Sequence, residues 1–153
     1  MATRLGLIGD TQGRYSVDAL LARAATIFRD VDEIWHAGDW EYEEVLDGLA
    51  KLKPLTVVNG NAPDDGRKPA RVVREIETLR VGMVHRPPQP GDEWLRGLDI
   101  CIHGHTHVWR DEVVERVRVI NVSTATGLFG REKSGGILTL DAGRSDLEKV
   151  LFG

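Results

Sequence analysis

A cluster of three histidines, His103-Gly104-His105-Thr106-His107, is the strongest chemical signal in a chain that has only five histidines. Two imidazoles separated by one residue can converge on one metal ion. Other side chains with metal-binding atoms precede the cluster, and they are Asp10, Gln12, Asp39, Asn61 and His85. Imidazole nitrogens combined with carboxylate and amide oxygens suit Mn, Fe, Zn and similar divalent ions. These residue types therefore predict a metal site.

Each of these residues taken alone has an ordinary structural interpretation. A single aspartate after a strand is usually a turn or helix-cap residue. The pairs Gly38-Asp39 and Gly60-Asn61 are common turn formers. His85 precedes a proline-rich stretch and is compatible with an ordinary surface histidine. The metal-site prediction rests on the combination of these residues, together with the histidine cluster.

The elements that position these residues follow from the hydrophobic spacing of the first half. We predict a strand over 3–9, a helix over 17–29 capped by Ser16, a strand over 31–36, a helix over 41–51 and a strand over 55–58. The alternation of strands and helices indicates a parallel α/β unit. In such sheets ligands gather beyond the carboxyl ends of the strands, where Asp10, Asp39 and Asn61 occur.

The second half has the spacing of strands. We predict strands over 71–76, 79–84 and 99–103, a short helix near 92–97, a hairpin within 107–122 around Glu115-Arg116, and a closing hairpin of 136–141 and 146–151. His85 follows one of these strands, and the histidine cluster follows another. Since no linker is long enough to separate domains, we expect one domain over residues 1–153 with mixed sheets.

Composition and charge argue against several classes of protein. The 153 residues are 41% hydrophobic and 29% charged, with a formal net charge of -4, as in ordinary globular domains. One cysteine, Cys101, excludes an internal disulfide framework and a cysteine-based zinc finger. The mild acidity argues against a broad nucleic-acid surface, and no apolar run approaches the roughly 20 residues of a membrane helix. The first residues lack an apolar signal core, so we expect a cytoplasmic protein.

Taken in order, the candidate residues resemble the calcineurin-like metallophosphoesterases, and within them the small YfcE-type phosphodiesterases. The family pattern is Asp-x-His, Gly-Asp, Gly-Asn, His-Gly and Gly-His-Thr-His. The matching segments here are Asp10-x-Gln12, Gly38-Asp39, Gly60-Asn61, His85 and Gly104-His105-Thr106-His107. The resemblance spans the whole chain and implies a four-layer α/β/β/α sandwich. The retromer subunit of the Vps family is similar in fold.

The resemblance also implies a dinuclear metal centre and a role for each residue. Asp39 would bridge two divalent ions, which would be Mn, Fe, Ni or Zn. The first ion would also be held by Asp10, Gln12 and His107, and the second by Asn61, His85 and His105. The implied reaction is hydrolysis of a small phosphate ester by a metal-bridging hydroxide, with Asp39, Asn61 and His105 as catalytic residues. His36 and His103 lie outside the implied ligand set.

The chain departs from the family pattern at two of these positions. Gln12 stands where the family has His. Arg86 follows His85 where the family has Gly, and it would either bind a phosphate or crowd the cleft. Three functions stay open: a metal-dependent phosphodiesterase, a catalytically weak or inactive binding or scaffold module, and a sensor that binds a phosphate ligand without turnover. The sequence does not decide whether the protein forms a homo-oligomer.

Overall fold

The structure, a computed structural model, describes residues 2–60 and 67–153 and contains two five-stranded sheets. The strands are β1 (Thr3–Ile8), β2 (Glu33–His36), β3 (Leu55–Val57), β4 (Arg71–Ile76), β5 (Leu79–Val84), β6 (Ile100–Ile102), β7 (Arg110–Val114), β8 (Val117–Asn121), β9 (Ser134–Asp141) and β10 (Arg144–Leu151). The helices are α1 (Val17–Ile27), α2 (Glu43–Leu52) and α3 (Glu93–Arg96), with a 3-10 turn at Leu128–Gly130. Within the described ranges, no helix has the length and apolar character needed to cross a membrane.

Both sheets are mixed. The first sheet has the order β10-β9-β1-β2-β3, in which β1, β2 and β3 are parallel and β9 is antiparallel to both of its neighbours. The second sheet has the order β4-β5-β6-β8-β7, in which β5, β6 and β8 are parallel and the edge strands are antiparallel. Six parallel strands therefore supply the carboxyl ends at which ligand side chains can gather.

Three apolar layers hold the sheets and helices together. Between the sheets, Leu7 and Trp35 of the first sheet belong to the same buried cluster as Met83 of the second. Outside the first sheet, α1 and α2 bury Leu20, Ala24, Phe28, Val45 and Leu49. Outside the second sheet, Leu95 of α3 belongs to a cluster with Cys101, Val117 and Val119. The order is helix, sheet, sheet, helix, which confirms the predicted four-layer α/β/β/α sandwich.

The helix ends follow from local capping. The Ser16 side chain accepts a hydrogen bond from the Ala19 amide at 3.1 Å and so begins α1 as predicted. The chain does not enter the next strand at once, because the Val31 amide still donates to the Phe28 carbonyl at 3.3 Å. As a result β2 begins at Glu33, two residues later than the predicted strand.

Three two-residue turns connect antiparallel strands. Positive φ angles occur at both residues of Glu77-Thr78 (49° and 68°), Glu115-Arg116 (50° and 73°) and Ala142-Gly143 (50° and 78°). Turns of this kind match the right-handed twist of the strands that they join. The predicted hairpins around Glu115-Arg116 and Gly143 are confirmed.

Candidate metal centre

The side chains predicted to bind metal come from both sheets and meet at the carboxyl ends of parallel strands. Asp10 follows β1 and Asp39 follows β2, whereas His85 follows β5 and both His105 and His107 follow β6. Asn61 follows β3 in sequence but lies outside the described residues. Gln12 lies in the loop after β1, where its backbone carbonyl accepts a hydrogen bond from Thr126 at 2.7 Å. The ligand roles of Gln12 and Asn61 stay predictions.

The tightest group consists of Asp10, Asp39 and His107. Each offers a ligand atom, and these atoms all lie within 4.8 Å of one another. The three residues are buried, and His107 Nε2 lies 3.4 Å from Asp10 Oδ1. Asp10 Oδ2 is also buried and has no hydrogen-bond partner among the described residues. A buried carboxylate oxygen needs a partner, and a divalent cation would supply one. This donor set therefore fits a metal ion.

His85 approaches Asp39 from the second sheet. Its Nε2 lies 3.2 Å from Asp39 Oδ2. Its Nδ1 lies 2.8 Å from the Ala37 carbonyl, which can only accept, so Nδ1 carries the proton. Burial lowers the pKa of His85, but the bonds to Asp39 and Ala37 and the carboxylates of Asp39 and Asp10 outweigh it and raise the pKa. A ring held by a backbone carbonyl in this way is oriented like a metal-binding histidine.

His105 lies at the exposed side of the same group. Its ring centroid is 5.2 Å from that of His85, with 79° between the ring planes. Burial lowers the pKa of His105, and the positive charges of His85 and Arg86 lower it further. Asp39 is thus close both to Asp10 and His107 and to His85, whose ring lies near that of His105.

The backbone is left-handed at four of the predicted ligands. The φ angles are 49° at Asp10, 61° at Asp39, 73° at His105 and 60° at His107. This conformation is uncommon for residues with a Cβ and costs roughly 1–2 kcal/mol each. Strain of this kind concentrates at functional sites. Four predicted ligands share this strained backbone conformation, which supports a functional site that the fold maintains at some cost in stability.

Two glycines allow the backbone to approach the carboxylates. A Cβ on Gly60 would overlap Asp39 Oδ1 and lie 2.5 Å from the Asp39 amide nitrogen. A Cβ on Gly104 would lie 3.1 Å from Asp10 Oδ2. A side chain at position 60 would therefore displace Asp39, and one at position 104 would crowd Asp10, which would have to shift by a few tenths of an ångström.

His36 supports the Asp39 turn and does not face the carboxylate group. Its Nδ1 accepts a hydrogen bond from the Gly38 amide at 3.1 Å, so the proton lies on Nε2, which donates to Thr11 Oγ1 at 2.9 Å. Burial, together with the charge of His85, lowers the pKa of His36 to about 3. The imidazole is therefore neutral near pH 7, and both of its nitrogens are used in holding the turn.

His103 supports the second turn in a similar way. Its Nδ1 donates to the Gly104 carbonyl at 2.8 Å, and its Nε2 accepts from Arg110 Nη1 at 3.2 Å. Burial is the main cause that lowers its pKa. Because both ring nitrogens are used, His103 stays apart from the ligand group although it precedes His105 by only two residues.

Hydroxyl and amide groups at the end of β8 and just after it hold the ligand loops, a role that the sequence pattern did not reveal. Thr124 Oγ1 donates to the Asp10 carbonyl at 2.7 Å, and Ser123 Oγ donates to the His107 carbonyl at 2.8 Å. Asn121 Nδ2 donates to Thr106 Oγ1 at 2.9 Å. The available signal was a polar run directly after a buried strand, at the same edge as the other strand ends.

Comparison with known proteins identifies a family and curated relatives. Residues 4–143 match the family model described as the calcineurin-like phosphoesterase superfamily domain. A probable metallophosphoesterase of Methanothermobacter thermautotrophicus is 31% identical over 159 residues, which span 97% of this chain and 92% of that protein.

Solved structures share the fold over nearly the whole chain. A mutant of Vps29 from Entamoeba histolytica has a TM-score of 0.78 and 22% identity, and the match covers 99% of this chain and 100% of that one. An archaeal phosphodiesterase also has a TM-score of 0.78 and 22% identity, with 97% and 99% of the two chains covered. At these identities the likeness establishes the architecture.

Proposed function

Because the chain belongs to the calcineurin-like phosphoesterase superfamily, we propose that it is a metal-dependent phosphodiesterase that hydrolyses a small phosphate ester. The observation that carries this proposal is the buried group of Asp10, Asp39 and His107, whose ligand atoms lie within 4.8 Å of one another. The buried Asp10 Oδ2, which lacks a hydrogen-bond partner among the described residues, supports a cation at this point.

The proposed centre takes two divalent ions from among Mn, Fe, Ni and Zn. One would be held by Asp10, Gln12 and His107, the other by Asn61, His85 and His105, and Asp39 would contact both. The closeness of Asp39 to donors from both sets supports this division, since a carboxylate has two oxygens that could each bind one ion. When bound, such ions supply Lewis acidity, which stabilises negative charge on a phosphoryl group and makes water more acidic.

The protein's own groups orient this chemistry. The Ala37 carbonyl holds the proton of His85 on Nδ1, so its Nε2 is directed toward Asp39. The lowered pKa of His105 favours a neutral ring near pH 7, whose lone pair is then available for coordination. The positive charge of Arg86 contributes to the lowered pKa of His105, which supports placing the Arg86 guanidinium at the opening of the site. We assign Arg86 to the substrate phosphate, since a guanidinium can bind two phosphoryl oxygens at once.

The test measures metal content and hydrolysis in the same preparations. Elemental analysis is expected to give two ions per chain after loading with Mn²⁺, Ni²⁺ or Zn²⁺. The loaded protein is expected to hydrolyse bis(p-nitrophenyl) phosphate, to lose this activity in EDTA and to regain it when the ion is restored. Folded, metal-loaded protein that hydrolyses no phosphodiester or phosphomonoester would refute the proposal.

Asp39→Asn is the matched variant, because it keeps the shape of the side chain and removes its charge. We expect the rate to fall by more than about 100-fold, which corresponds to about 2.7 kcal/mol in the activation free energy. Circular dichroism of the variant checks that the fold is retained. A rate within about threefold of the parent protein would show that Asp39 does not have the proposed role.

A second candidate function, a binding module, is favoured by two observations. Gln12 stands where the family has His, and the structure shares its fold with Vps29. A binding module predicts fewer than two ions per chain, no hydrolysis with any ion, and a stable protein partner in pull-down experiments. Metal-dependent hydrolysis by the unmodified chain decides against it.

A further inference from the structure

Phe129 is exposed at the edge of the metal centre, in a conformation that its own packing does not explain. It is the most exposed large hydrophobic residue of the described chain, at 83%. It lies in the turn between β8 and β9, and its φ of 58° is in the left-handed region, where a bulky side chain is an outlier. Because the Phe129 ring is mostly exposed, its burial contributes little to stability, and the strained backbone at this residue has a further cost.

The ring of Phe129 stacks on a proposed metal ligand. Its plane is 17° from that of His107, and the ring centroids are 5.6 Å apart, within the range of offset stacking. His107 also approaches Asp10, with Nε2 at 3.4 Å from Oδ1. Since most of the Phe129 surface is exposed, the face turned away from His107 is open to solvent directly beside the ligand group.

Local contacts hold this turn in place against the Asp10 loop. The Gly130 amide donates to the Gly127 carbonyl at 3.1 Å and closes the turn. Leu128 Cδ1 packs against the backbone of Gly13, where a Cβ would lie only 3.1 Å away. The turn is thereby fixed to the loop that carries Asp10, which gives the Phe129 ring a defined position relative to the donors.

We propose that Phe129 determines specificity by stacking on a flat aromatic group of the phosphate ester, such as an aryl group or a nucleobase. This inference rests on the proposed phosphodiesterase function, because the ester phosphate would bind at the adjacent ligand group. Stacking on an exposed ring recognises flatness and a π-face rather than particular hydrogen-bonding groups. A residue that only covered His107 would be replaceable by any apolar side chain of similar size.

Two esters with the same leaving group test the inference. O-Benzyl S-ethyl phosphorothiolate and O-cyclohexylmethyl S-ethyl phosphorothiolate both release ethanethiol, which is detected with a thiol reagent, and they differ in whether their one ring is flat and aromatic or puckered and saturated. The parent protein is expected to prefer the benzyl ester in kcat/KM by on the order of 10-fold, from the strength of base stacking on aromatic side chains. Phe129→Leu is expected to reduce the preference to less than about twofold, and Phe129→Tyr is expected to retain it.

The matched control is Val113→Ala, which changes another exposed apolar residue, 72% accessible, on β7. This variant is expected to keep the parent preference. Equal kcat/KM for the two esters in the parent protein would overturn the inference. The same preference in Phe129→Leu as in the parent would overturn it as well, since an aliphatic side chain would then be sufficient.

A binding measurement separates this inference from the proposed function. Benzylphosphonate and cyclohexylmethylphosphonate are titrated into the Zn²⁺-loaded protein by calorimetry. Tighter binding of benzylphosphonate by the parent protein, lost in Phe129→Leu, supports the aromatic platform even if neither ester is hydrolysed. Equal binding of the two phosphonates by the parent overturns it. Absence of hydrolysis alone contradicts the proposed function, and the calorimetry then decides the role of Phe129.

Discussion

Lowering the pH from 7.5 to 5 should destabilise the metal-free protein through one buried imidazole. His36 is fully buried, and its two ring nitrogens are committed to Gly38 and Thr11. Burial lowers its pKa to about 3, whereas the ordinary value is 6.5. Between these two values the unfolded chain takes up a proton that the folded protein does not. Stability is therefore full above pH 6.5 and declines as the pH falls toward 3.

The size of this effect follows from proton linkage. One proton taken up only by the unfolded state changes the free energy of unfolding by about 1.36 kcal/mol per pH unit. From pH 6.5 to pH 5 the loss is therefore about 2 kcal/mol. Domains of this size have a total stability of about 5–15 kcal/mol, so the change is readily measured. Because pH 5 is well above the folded pKa, the folded imidazole stays neutral throughout the range.

The assay compares the parent protein with His36→Asn. Both are unfolded with urea in EDTA at several pH values from 7.5 to 5, and tryptophan fluorescence monitors the unfolding. The asparagine oxygen can accept the Gly38 amide in place of Nδ1, and it does not titrate. All other titrating groups are present in both proteins, so the difference in unfolding free energy isolates His36. The parent's advantage over the variant is expected to shrink by about 2 kcal/mol across this range.

One outcome would refute this prediction, and a second variant serves as its control. If the difference between the parent and His36→Asn is constant from pH 7.5 to 5, His36 titrates normally in the folded protein and the argument from burial is wrong. Thr11→Val serves as a control, because it removes the hydroxyl that His36 contacts without changing a titrating group. It should lower stability by about 1 kcal/mol at every pH, as expected for one hydrogen bond.

Three further changes test the metal centre. Gly60→Ala adds a Cβ that overlaps Asp39 Oδ1, so Zn²⁺ affinity measured by titration should fall by at least about 10-fold, and an unchanged affinity would contradict the role of Asp39. Gln12→His should raise the metal content found by elemental analysis if Gln12 occupies the position of the family histidine; no change in content or affinity would argue against that assignment. Thr124→Val removes the hydroxyl that donates to the Asp10 carbonyl at 2.7 Å, and it should lower the urea unfolding free energy by about 1 kcal/mol and weaken Zn²⁺ binding. Equal Zn²⁺ affinity in Thr124→Val would show that this contact supports only the fold.

The parts of the fold set by local pattern were predictable from the sequence. The strands 71–76 and 79–84 were predicted with the bounds that the structure has. In the second of them Leu79, Val81 and Met83 alternate with other residues, as in a half-buried strand. The general rule that ligands gather at strand carboxyl ends brought Asp10, Asp39 and His107 into one expected site. Parallel strands end at one edge, so this part of the geometry follows from the order of the elements.

The rest depended on contacts between distant parts of the chain. Nothing local indicates that β9 pairs with β1, or that the Thr126 hydroxyl donates to the Gln12 carbonyl 114 residues away. The left-handed backbone at Asp10 and His107 is likewise not predictable from residue type, since Asp and His adopt it more often than most residues with a Cβ but still uncommonly. The sequence did not predict a role for Phe129, because a single aromatic residue in a short loop has no periodicity that could mark it.

The order of synthesis sets when the centre can form. Every proposed ligand precedes residue 108, yet the first sheet is completed only by β9 and β10 near the end of the chain. Until Ser134–Asp141 is made, β1 has one unpaired edge, and Thr124, which holds the Asp10 loop, lacks the hydrogen bond that its carbonyl accepts from the Ser134 amide. We therefore expect a ribosome-bound chain that ends before β9 to carry all the ligands and still fail to bind metal tightly. Metal loading would then report that β9 has been made and has paired with β1.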